Sequence, residues 1–567
     1  MRHALRTLSA AALLAALAVP AYPAATITII NMDGPGEGFN DPTVVAPVGG
    51  NPGTTVGQQR LNCFTQAANV WGSLLTSSVP ILIQAAFNPL TCTATSAVLG
   101  SAGPRFVEIN DPSFEFQNYW YHEALANKEA GVDLTPPFGA DNGSDINAQF
   151  NSNIGTAGCL TSSGWYYGFD HNETTKIDLL AVLLHEFGHG LGFSTVTSGS
   201  TGSYLNGPPL APAVFDKFLF DETTSLRWDQ NTAPQRVASA INTNNLVWNG
   251  ALVTAAASTF LGPAAEVLVP YGSGSVAVNA ASFGGALTVG GVSAQAVLVI
   301  DPVAPANDGC DLPLTNAAAL AGKIAVIDRG ICGFTVKAKN AQDAGAIGCI
   351  LLNNVAGPLA PGGADPLVTI PTVGMSLADG NTLKTAMVGG PVNVTLRLSP
   401  TQRAGTQPSG RVRMYAPNPF QSGSSVSHFD VSATPNLLME PSINPDLTSS
   451  VDLTEALFRD IGWLPQNLGV PSTGPSARVA LASRPNPARG NTLVHFELAS
   501  DESVELTLFD LSGRQVRSLM KGPLAAGPHD VAWDGIDNAG RPAAPGVYLA
   551  RLKGVRTQAT HHIVLMN

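Results

Sequence analysis

The chain has 567 residues, of which only 12% are charged, and it is rich in glycine (58) and proline (42). This length exceeds what one hydrophobic core supports and predicts several domains, and the composition is typical of a loop-rich, β-rich extracellular protein. The formal net charge of −12 argues against a nucleic-acid partner, because proteins that bind phosphates need a basic surface.

Residues 1–25 have the layout of a secretory signal peptide. Arg2 and Arg6 precede an apolar run from Leu8 to Val19, and small residues follow. The run is too short to span a bilayer comfortably, and no later segment reaches about 18 uninterrupted apolar residues. We therefore expect export with removal of this segment and a secreted protein without a membrane span.

The next two segments differ in their patterns of apolar and turn-forming residues. Residues 26–261 mix strand-like and helical pieces, which predicts an α+β unit. Residues 262–398 contain short β-branched runs separated by Gly, Pro and Asn, with a helix predicted from about Val336 to Ala344 and a buried strand after it. This change predicts a separate α/β module.

The C-terminal third is divided by a linker. A helical pattern, "VDLTEALFRDIGWL", returns within residues 399–465, which we assign to the first domain. Residues 466–477 are rich in Pro, Gly and Ser and predict a linker. Residues 478–567 alternate apolar and polar side chains between turn residues, which predicts a small all-β sandwich.

The motif "LHEFGHGLGF" carries the chemistry that the sequence makes most explicit. On a helix, His185 and His189 lie one turn apart on the same face, so two imidazoles can bind one metal ion. Glu186 lies one step around the helix, where it can reach a water molecule. This HExxH pattern is that of zinc-assisted hydrolysis, in which zinc lowers the pKa of water and the glutamate accepts its proton.

Three glycines interrupt this helical run. Gly188, Gly190 and Gly192 each cost about 1 kcal/mol relative to alanine in a helix interior. Such a cost implies that the backbone is closely approached or that the helix stops abruptly. We expect Gly192 to end the helix in a left-handed conformation, so that the chain turns towards a third ligand.

The extended match HExxHxxGF resembles the metzincin metalloproteases. That family places a third ligand three residues after the glycine, where this chain has Thr195, a poor zinc ligand. One alternative is a thermolysin-like site, in which Asp216, Asp221 or Glu222 of "VFDKFLFDE" would be the third ligand.

A second candidate for the third ligand lies much later, in "SHFDVSATPNLLMEP". His428 precedes Met439 by 11 residues, and this pairing resembles leishmanolysin-like metzincins, in which a long insertion separates the helix motif from the third histidine and a methionine turn follows. The resemblance implies a zincin fold with Zn²⁺ bound by His185, His189 and His428, Glu186 as general base and Met439 supporting the site.

On the same resemblance, "SDINAQFNS" (Ser144 to Ser152) would be an edge strand above the zinc. An unpaired edge can accept an extended peptide as an added strand. A strand paired on both sides is the open alternative.

The stretch "NDGCDLPLTNAAALAGKIAVIDRGICGFTVKAKNAQDAGAIGCILLNN" closely resembles the protease-associated (PA) domain. The resemblance implies a non-catalytic domain that shapes substrate access and is inserted into the protease domain, which would account for Thr195. It also implies a disulfide between Cys310 and Cys332. The pairing of the remaining cysteines stays open: Cys63, Cys92, Cys159 and Cys349.

The C-terminal segment resembles the immunoglobulin-like domains of bacterial exported proteins, of the hook-capping type and similar to type IX sorting domains. Its signatures are WDG at Trp533, Asp534 and Gly535, and GVY at Gly546, Val547 and Tyr548. The resemblance implies contact with the secretion machinery or the cell surface.

Together these features predict a multidomain, secreted bacterial zinc endopeptidase that acts on proteins or peptides. Two alternatives stay open. One is a surface adhesin that keeps the protease fold as an inactive scaffold, and the other is the thermolysin-like site with a carboxylate as third ligand.

Overall fold

The structure is a computed structural model that describes residues 23–135, 143–205, 209–444, 446–464, 481–484, 488, 490–498, 502–510, 514–525, 527–544, 546–554 and 558–565. The predicted linker, and the predicted signal peptide apart from its last three residues, lie outside the described residues. The chain forms two compact units, Met1–Gln466 and Asn467–Asn567.

The first unit begins with a mixed α/β region that carries the histidine motif. Its helices are α1 (Val56–Leu74), α2 (Glu123–Ala130), α3 (Leu179–Gly190), α4 (Ala233–Ser239) and α5 (Ala251–Phe260). Its strands are β1 (Ile27–Asn31), β2 (Ile81–Asn88), β3 (Gly100–Pro104), β4 (Val107–Ile109), β5 (Trp120–His122), β6 (Ile146–Asn151), β7 (Trp165–Tyr166), β8 (Ile177–Asp178), β9 (Leu219–Asp221), β10 (Leu226–Arg227) and β11 (Leu246–Trp248). Short 3-10 helices cover Gly38–Asn40, Val214–Lys217 and Trp228–Gln230.

Four of these strands form the sheet that supports the site, in the order β1-β2-β6-β3. Strands β1, β2 and β6 are parallel, and β3 is antiparallel to β6. Alternate residues of β2 are buried, because the two-residue period of a strand directs them to one face. That face packs on α1 and α3 through aromatic contacts, including those of Phe64 with Phe87 and Phe187.

The interpretation of Ser144 to Ser152 as an edge strand is wrong. This segment contains β6, which pairs with β2 on one side and with β3 on the other. The edge strand on this side of the sheet is β3, whose sequence GSAGP has no alternation of apolar and polar side chains. Sequence periodicity therefore had no means of identifying it.

A second α/β region follows, built on one eight-stranded sheet in the order β13-β12-β19-β15-β16-β17-β18-β14. Its strands are β12 (Pro263–Leu268), β13 (Ser275–Ala277), β14 (Asn279–Ala280), β15 (Val292–Leu298), β16 (Ile324–Asp328), β17 (Gly348–Leu352), β18 (Thr372–Met375) and β19 (Asn393–Arg403). Its helices are α6 (Ala317–Leu320), α7 (Phe334–Asp343) and α8 (Leu377–Val388). The predicted helix near 336–344 corresponds to α7.

The two ends of this region meet in space. The amide of Ala404 donates to the carbonyl oxygen of Gly262 at 2.9 Å, and the amide of Gly262 donates to the carbonyl oxygen of Thr434 at 2.7 Å. The chain therefore leaves and re-enters the first region at one place. An insertion with adjacent ends leaves the host fold intact, so residues on both sides of it can build one site.

After the insertion the chain returns to the first region. Helix α9 (Asp452–Asp460) packs on α5, and the buried indole of Trp463 donates to the carbonyl oxygen of Leu191 at 2.7 Å. This contact joins the end of the first unit to the end of α3. No helix of the described residues has both the length and the apolar character needed to cross a membrane.

The second unit is a β-sandwich. One sheet has the order β20-β21-β24 and the other β23-β22-β25-β26. The strands are β20 (Ala482–Arg484), β21 (Thr492–Leu498), β22 (Glu502–Asp510), β23 (Gln515–Leu524), β24 (Gly527–Trp533), β25 (Gly546–Gly554) and β26 (Gln558–Leu565). Trp533 and Tyr548 of the two signatures meet in the core, with ring centroids 5.0 Å apart.

Candidate metal centre

Helix α3 holds the first two histidines rigidly. Its first turn is capped by Asp178, whose carboxylate accepts from the amides of Leu180 and Ala181. Every residue of the helix except His189 is buried. A capped helix buried on nearly all sides fixes the backbone, so the direction of each histidine side chain depends only on its own torsions.

Three imidazoles converge at this helix. The Nε2 atom of His189 lies 3.2 Å from that of His185 and 3.2 Å from that of His428, and the third separation is 3.3 Å. His428 therefore meets His185 and His189 although 239 residues separate it from His189 along the chain.

The opposite ring nitrogens determine what the Nε2 atoms can do. Each of the three Nδ1 atoms lies within hydrogen-bond distance of a backbone carbonyl oxygen: Leu438, Phe193 and Ser424, at 2.7, 2.8 and 2.8 Å. A carbonyl oxygen only accepts, so each Nδ1 carries the proton. The neutral rings therefore present three lone pairs at Nε2, which cannot donate to one another.

The charge state of the rings agrees with this assignment. Burial lowers the pKa of His185 to about 4 and that of His428 to about 3. The pKa of His189 lies well below its ordinary value because of burial and the neighbouring imidazoles. The rings are therefore neutral at physiological pH, which is the form that binds metal ions.

The spacing of the Nε2 atoms fits zinc. A zinc ion bonds imidazole nitrogens at about 2.0–2.1 Å with near-tetrahedral angles, which separates the nitrogens by about 3.3–3.4 Å. The observed separations are 3.2–3.3 Å. The backbone carbonyls that fix the Nδ1 protons are the kind of outer partner that orients metal-binding histidines.

Glu186 directly follows His185 on α3 and is 9% exposed. Its Oε2 atom accepts from the amide of Ala102 in the edge strand β3, at 3.1 Å. Burial raises the pKa of Glu186 to about 7, against the opposing effect of that hydrogen bond. A carboxylate whose pKa lies near neutrality is suited to accept and return a proton.

The segment around Met439 ties the third histidine to the helix. The carbonyl of Leu438 accepts from His185, and the carbonyl of Met439 accepts from the amide of Phe429, the residue after His428. The carboxylate of Asp452 accepts from the amide of Leu438 at 2.5 Å. This turn therefore positions imidazoles from both parts of the chain.

The three glycines of the histidine motif are explained by two different structural requirements. A Cβ atom at Gly188 would lie 2.8 Å from the sulfur of Met439, and one at Gly190 would lie 2.5 Å from Cγ2 of Ile146. Gly192 has a φ of +122° just after the end of the helix. Close approach explains the first two, and a conformation that other residues rarely adopt explains the third.

The carboxylates of the thermolysin-like alternative do not join the three imidazoles among the described residues. Asp216 accepts from Thr197 and from the amide of Ala213. Asp221 accepts from the amide of Thr223. Glu222 pairs with Arg411 at 3.0 Å. Each carboxylate has structural partners elsewhere, and none of the three belongs to the imidazole cluster.

Thr195 marks where the short metzincin pattern would place its ligand. Its amide donates to the hydroxyl of Ser427, the residue before His428, at 3.2 Å. The chain that returns after the insertion therefore places Ser427, the residue before His428, in contact with Thr195.

The cysteines form two disulfides. Cys310 and Cys332 pair as the PA resemblance implies, and Cys92 pairs with Cys159. Cys63 and Cys349 are free and buried. Sequence spacing could not identify the second pair, because Cys92 and Cys159 are brought together by the fold of the first unit.

Sequence reasoning missed the groups that orient the site. The carbonyls of Leu438, Phe193 and Ser424 and the amide of Ala102 belong to the backbone, so side-chain identity carries no signal for them. The HExxH motif specifies the spacing of side chains on its helix and gives no information about backbone groups elsewhere in the chain.

Comparison with known families identifies two domains of the chain. The PA domain family matches residues 292–383, and the FlgD Ig-like domain family matches residues 485–558. The chain therefore contains a PA domain and a C-terminal FlgD Ig-like domain. A third family, described as SPBPB7E8-like, matches residues 51–248, the segment that includes α3.

Curated relatives match over short segments. Leucine aminopeptidase 2 of Trichophyton rubrum is 39% identical over 106 residues, or 18% of this chain and 20% of its own length. The minor extracellular protease Vpr of Bacillus subtilis is 39% identical over 88 residues, or 16% of this chain and 11% of its own length. The chain thus spans about a fifth or less of the length of these relatives.

Among solved structures, an aminopeptidase from Aneurinibacillus sp. strain AM-1 is 24% identical, with a TM-score of 0.20, and the match covers 24% of this chain and 31% of that chain.

Proposed function

We propose that the protein is a secreted zinc-dependent peptide hydrolase and, more specifically, an endopeptidase of leishmanolysin-like metzincin type. The observation that carries this proposal is the convergence of three neutral imidazoles at 3.2–3.3 Å on a helix whose next residue after His185 is the buried Glu186. The PA domain, and the short matches to an aminopeptidase and an extracellular protease, are consistent with a peptidase.

The proposed chemistry assigns a separate task to each group. His185, His189 and His428 would hold zinc, which supplies a Lewis acid that lowers the pKa of water. Glu186 accepts a proton from the attacking water and returns it to the leaving amine. The amide of Ala102 holds the Glu186 carboxylate in place through the 3.1 Å hydrogen bond.

Strand β3 is where we propose that the substrate lies. It is the edge strand nearer to the imidazole helix, and the amide of its residue Ala102 donates to Glu186. A peptide that adds to an edge strand is held by backbone hydrogen bonds, which read an extended conformation rather than side chains. Peptides with few side-chain restrictions are therefore the proposed substrates.

A pair of variants tests the catalytic assignment. Glu186→Gln keeps the shape of the side chain but removes the base, so zinc content should stay at one ion per chain while peptide hydrolysis falls by at least about 100-fold. His428→Ala should lose zinc as well as activity, because a two-histidine site binds zinc far more weakly. Metal analysis and a protein digest measure both properties on the same samples.

The controls separate the alternatives. Glu222→Gln changes a carboxylate that pairs with Arg411 outside the imidazole cluster, so zinc and activity should be retained. Cleavage of an internally quenched peptide blocked at both ends identifies an endopeptidase, whereas cleavage of only free-amino substrates identifies an aminopeptidase. A zinc-loaded wild-type protein that cleaves neither substrate would support the adhesin instead.

A further inference from the structure

A second cluster of metal-binding side chains lies in the PA domain. Asp301, Asp308 and Asp311 each place a carboxylate oxygen within 4.8 Å of the other two. Asp301 follows β15, which runs parallel to β16. In open α/β sheets, ligands bind beyond the carboxyl ends of parallel strands. The cluster lies after such an end.

Two carboxylate oxygens of this cluster have no hydrogen-bond partner. Asp301 and Asp308 are only 3% and 1% exposed. One oxygen of each lies near the amide of Cys310, at 3.3 Å for Asp301 and 3.1 Å for Asp308. The other two oxygens, Asp301 Oδ1 and Asp308 Oδ2, are buried and accept no hydrogen bond from any described residue. Buried carboxylate oxygens normally pair with a donor or bind a metal ion.

The nearby charges do not balance. The buried ammonium group of Lys337 donates to the carbonyl oxygen of Asp308 at 2.5 Å and lies 3.1 Å from the sulfur of Cys310. With all three carboxylates ionised, this one ammonium group would leave two negative charges in the cluster, and burial together with the adjacent Asp308 side chain raises the pKa of Asp301 accordingly. One divalent cation would neutralise these two charges, and burial makes the uncompensated charge costly.

The donor atoms and their burial favour calcium. Carboxylate oxygens are hard ligands, which suit Ca²⁺ and Mg²⁺ better than zinc. Calcium accepts oxygen ligands in a flexible geometry, whereas magnesium demands a near-octahedral site and usually keeps several waters. The three carboxylate oxygens lie within 4.8 Å of one another, so one ion can contact all three, and the burial of Asp301 and Asp308 favours the ion that exchanges its waters for protein ligands.

We propose that Asp301, Asp308 and Asp311 bind one Ca²⁺ ion. The loop that carries them also carries Cys310, whose disulfide to Cys332 joins it to the start of α7. The ion and the disulfide together hold this loop against the sheet of the PA domain. The site is independent of the imidazole centre and of the proposed peptidase activity.

Calorimetric titration of the full-length protein with CaCl₂, after removal of calcium with EGTA, tests the proposal. We expect a site of one ion per chain with a Kd between about 1 μM and 1 mM, and weaker binding of MgCl₂. Asp308→Asn keeps the shape but removes a charge, and it should weaken this site at least 10-fold. Asp343→Asn is the matched control, because Asp343 is an exposed carboxylate of the same domain that pairs with Lys339, and it should bind as the wild type does.

Thermal unfolding guards against a variant that fails to fold. Calcium should raise the Tm of the wild type and of Asp343→Asn, but not that of Asp308→Asn or of Asp311→Asn, whose side chain is only half-buried. If Asp308→Asn does not fold, Asp311→Asn decides the outcome. No calcium uptake by the wild type at 5 mM, or equal uptake by the wild type and both cluster variants, overturns the proposal; the first result would mean that the carboxylates share a proton.

Discussion

The substitution Gly190→Ala tests the packing of α3 against β6 beneath the imidazoles. In Gly190→Ala, the new Cβ atom would lie 2.5 Å from Cγ2 and 3.0 Å from Cδ1 of Ile146, a fully buried residue of β6. Carbon atoms in ordinary contact are about 3.5–4.0 Å apart, so α3 and β6 must separate by about 1 Å.

The magnitude follows from two opposing effects. Overpacking of this kind costs about 1–3 kcal/mol, and replacing glycine by alanine in a helix returns up to about 1 kcal/mol. For a unit as large as Met1–Gln466, the net loss of about 1–2 kcal/mol corresponds to a fall in Tm of about 1–3 °C. Because His189 directly precedes Gly190, a displacement near 1 Å should also reduce kcat/KM by about 100-fold.

Gly188→Ala is the matched comparison. Its Cβ atom would meet the sulfur of Met439 at 2.8 Å, and an unbranched methionine side chain can move aside. We expect a change in stability within about 1 kcal/mol. Calorimetry at a fixed zinc concentration, together with peptide hydrolysis, compares both variants with the wild type.

A double-mutant cycle identifies the cause. Ile146→Ala removes both obstructing atoms and should by itself cost about 2–5 kcal/mol. The double variant with Gly190→Ala should be more stable than the sum of the two single effects by about 1 kcal/mol or more. A Gly190→Ala protein as stable and active as Gly188→Ala would refute the packing argument.

Three further predictions concern other parts of the first unit. The hydrogen bond of His171 to Asp178, the cap of α3, raises the pKa of His171. The stabilisation from this bond is fully present below about pH 6.5 and is lost as pH rises through the raised pKa. The Tm of the wild type should therefore fall relative to that of His171→Gln over this range, and parallel Tm curves would contradict the prediction. Met439→Leu conserves volume and should cost less than about 1.5 kcal/mol with zinc retained in metal analysis, whereas loss of zinc would show that the sulfur does more than pack. The Cys92–Cys159 disulfide joins residues 67 apart, so replacing both cysteines by serine should cost about 4 kcal/mol, and an unchanged calorimetric transition would contradict this.

The PA insertion shows why a long gap in sequence need not separate a site. Gly262 and Ala404 are hydrogen-bonded neighbours, so the intervening domain adds no distance between His189 and His428. Sequence alone indicated the insertion through the PA pattern. That its two ends coincide is a property of the folded backbone.

The predictions that succeeded rested on local patterns. The spacing of His185 and His189 places both on one face of a helix whatever the rest of the chain does, and the signatures of the PA and Ig-like domains occupy continuous segments. Helical patterns also located α7 and α9, because burial of one face imposes a period on the sequence.

The edge strand of the sheet and the disulfide partner of Cys92 depend on how distant segments of the chain pack together. Strand β3 is at the edge only because β2 already occupies the other side of β6, and strand order is a relation between segments rather than a property of any one. Cys92 pairs with Cys159 across 67 residues for the same reason.

The amino-acid sequence by itself determined the helix that presents two imidazoles and a carboxylate, and the identity of two accessory domains, because these depend on neighbouring residues. Only the tertiary structure brought His428 to 3.2–3.3 Å from the other rings and oriented all three through backbone carbonyls. The physical reason is that a backbone group has the same chemistry at every position, so its role is set by where the folded chain places it.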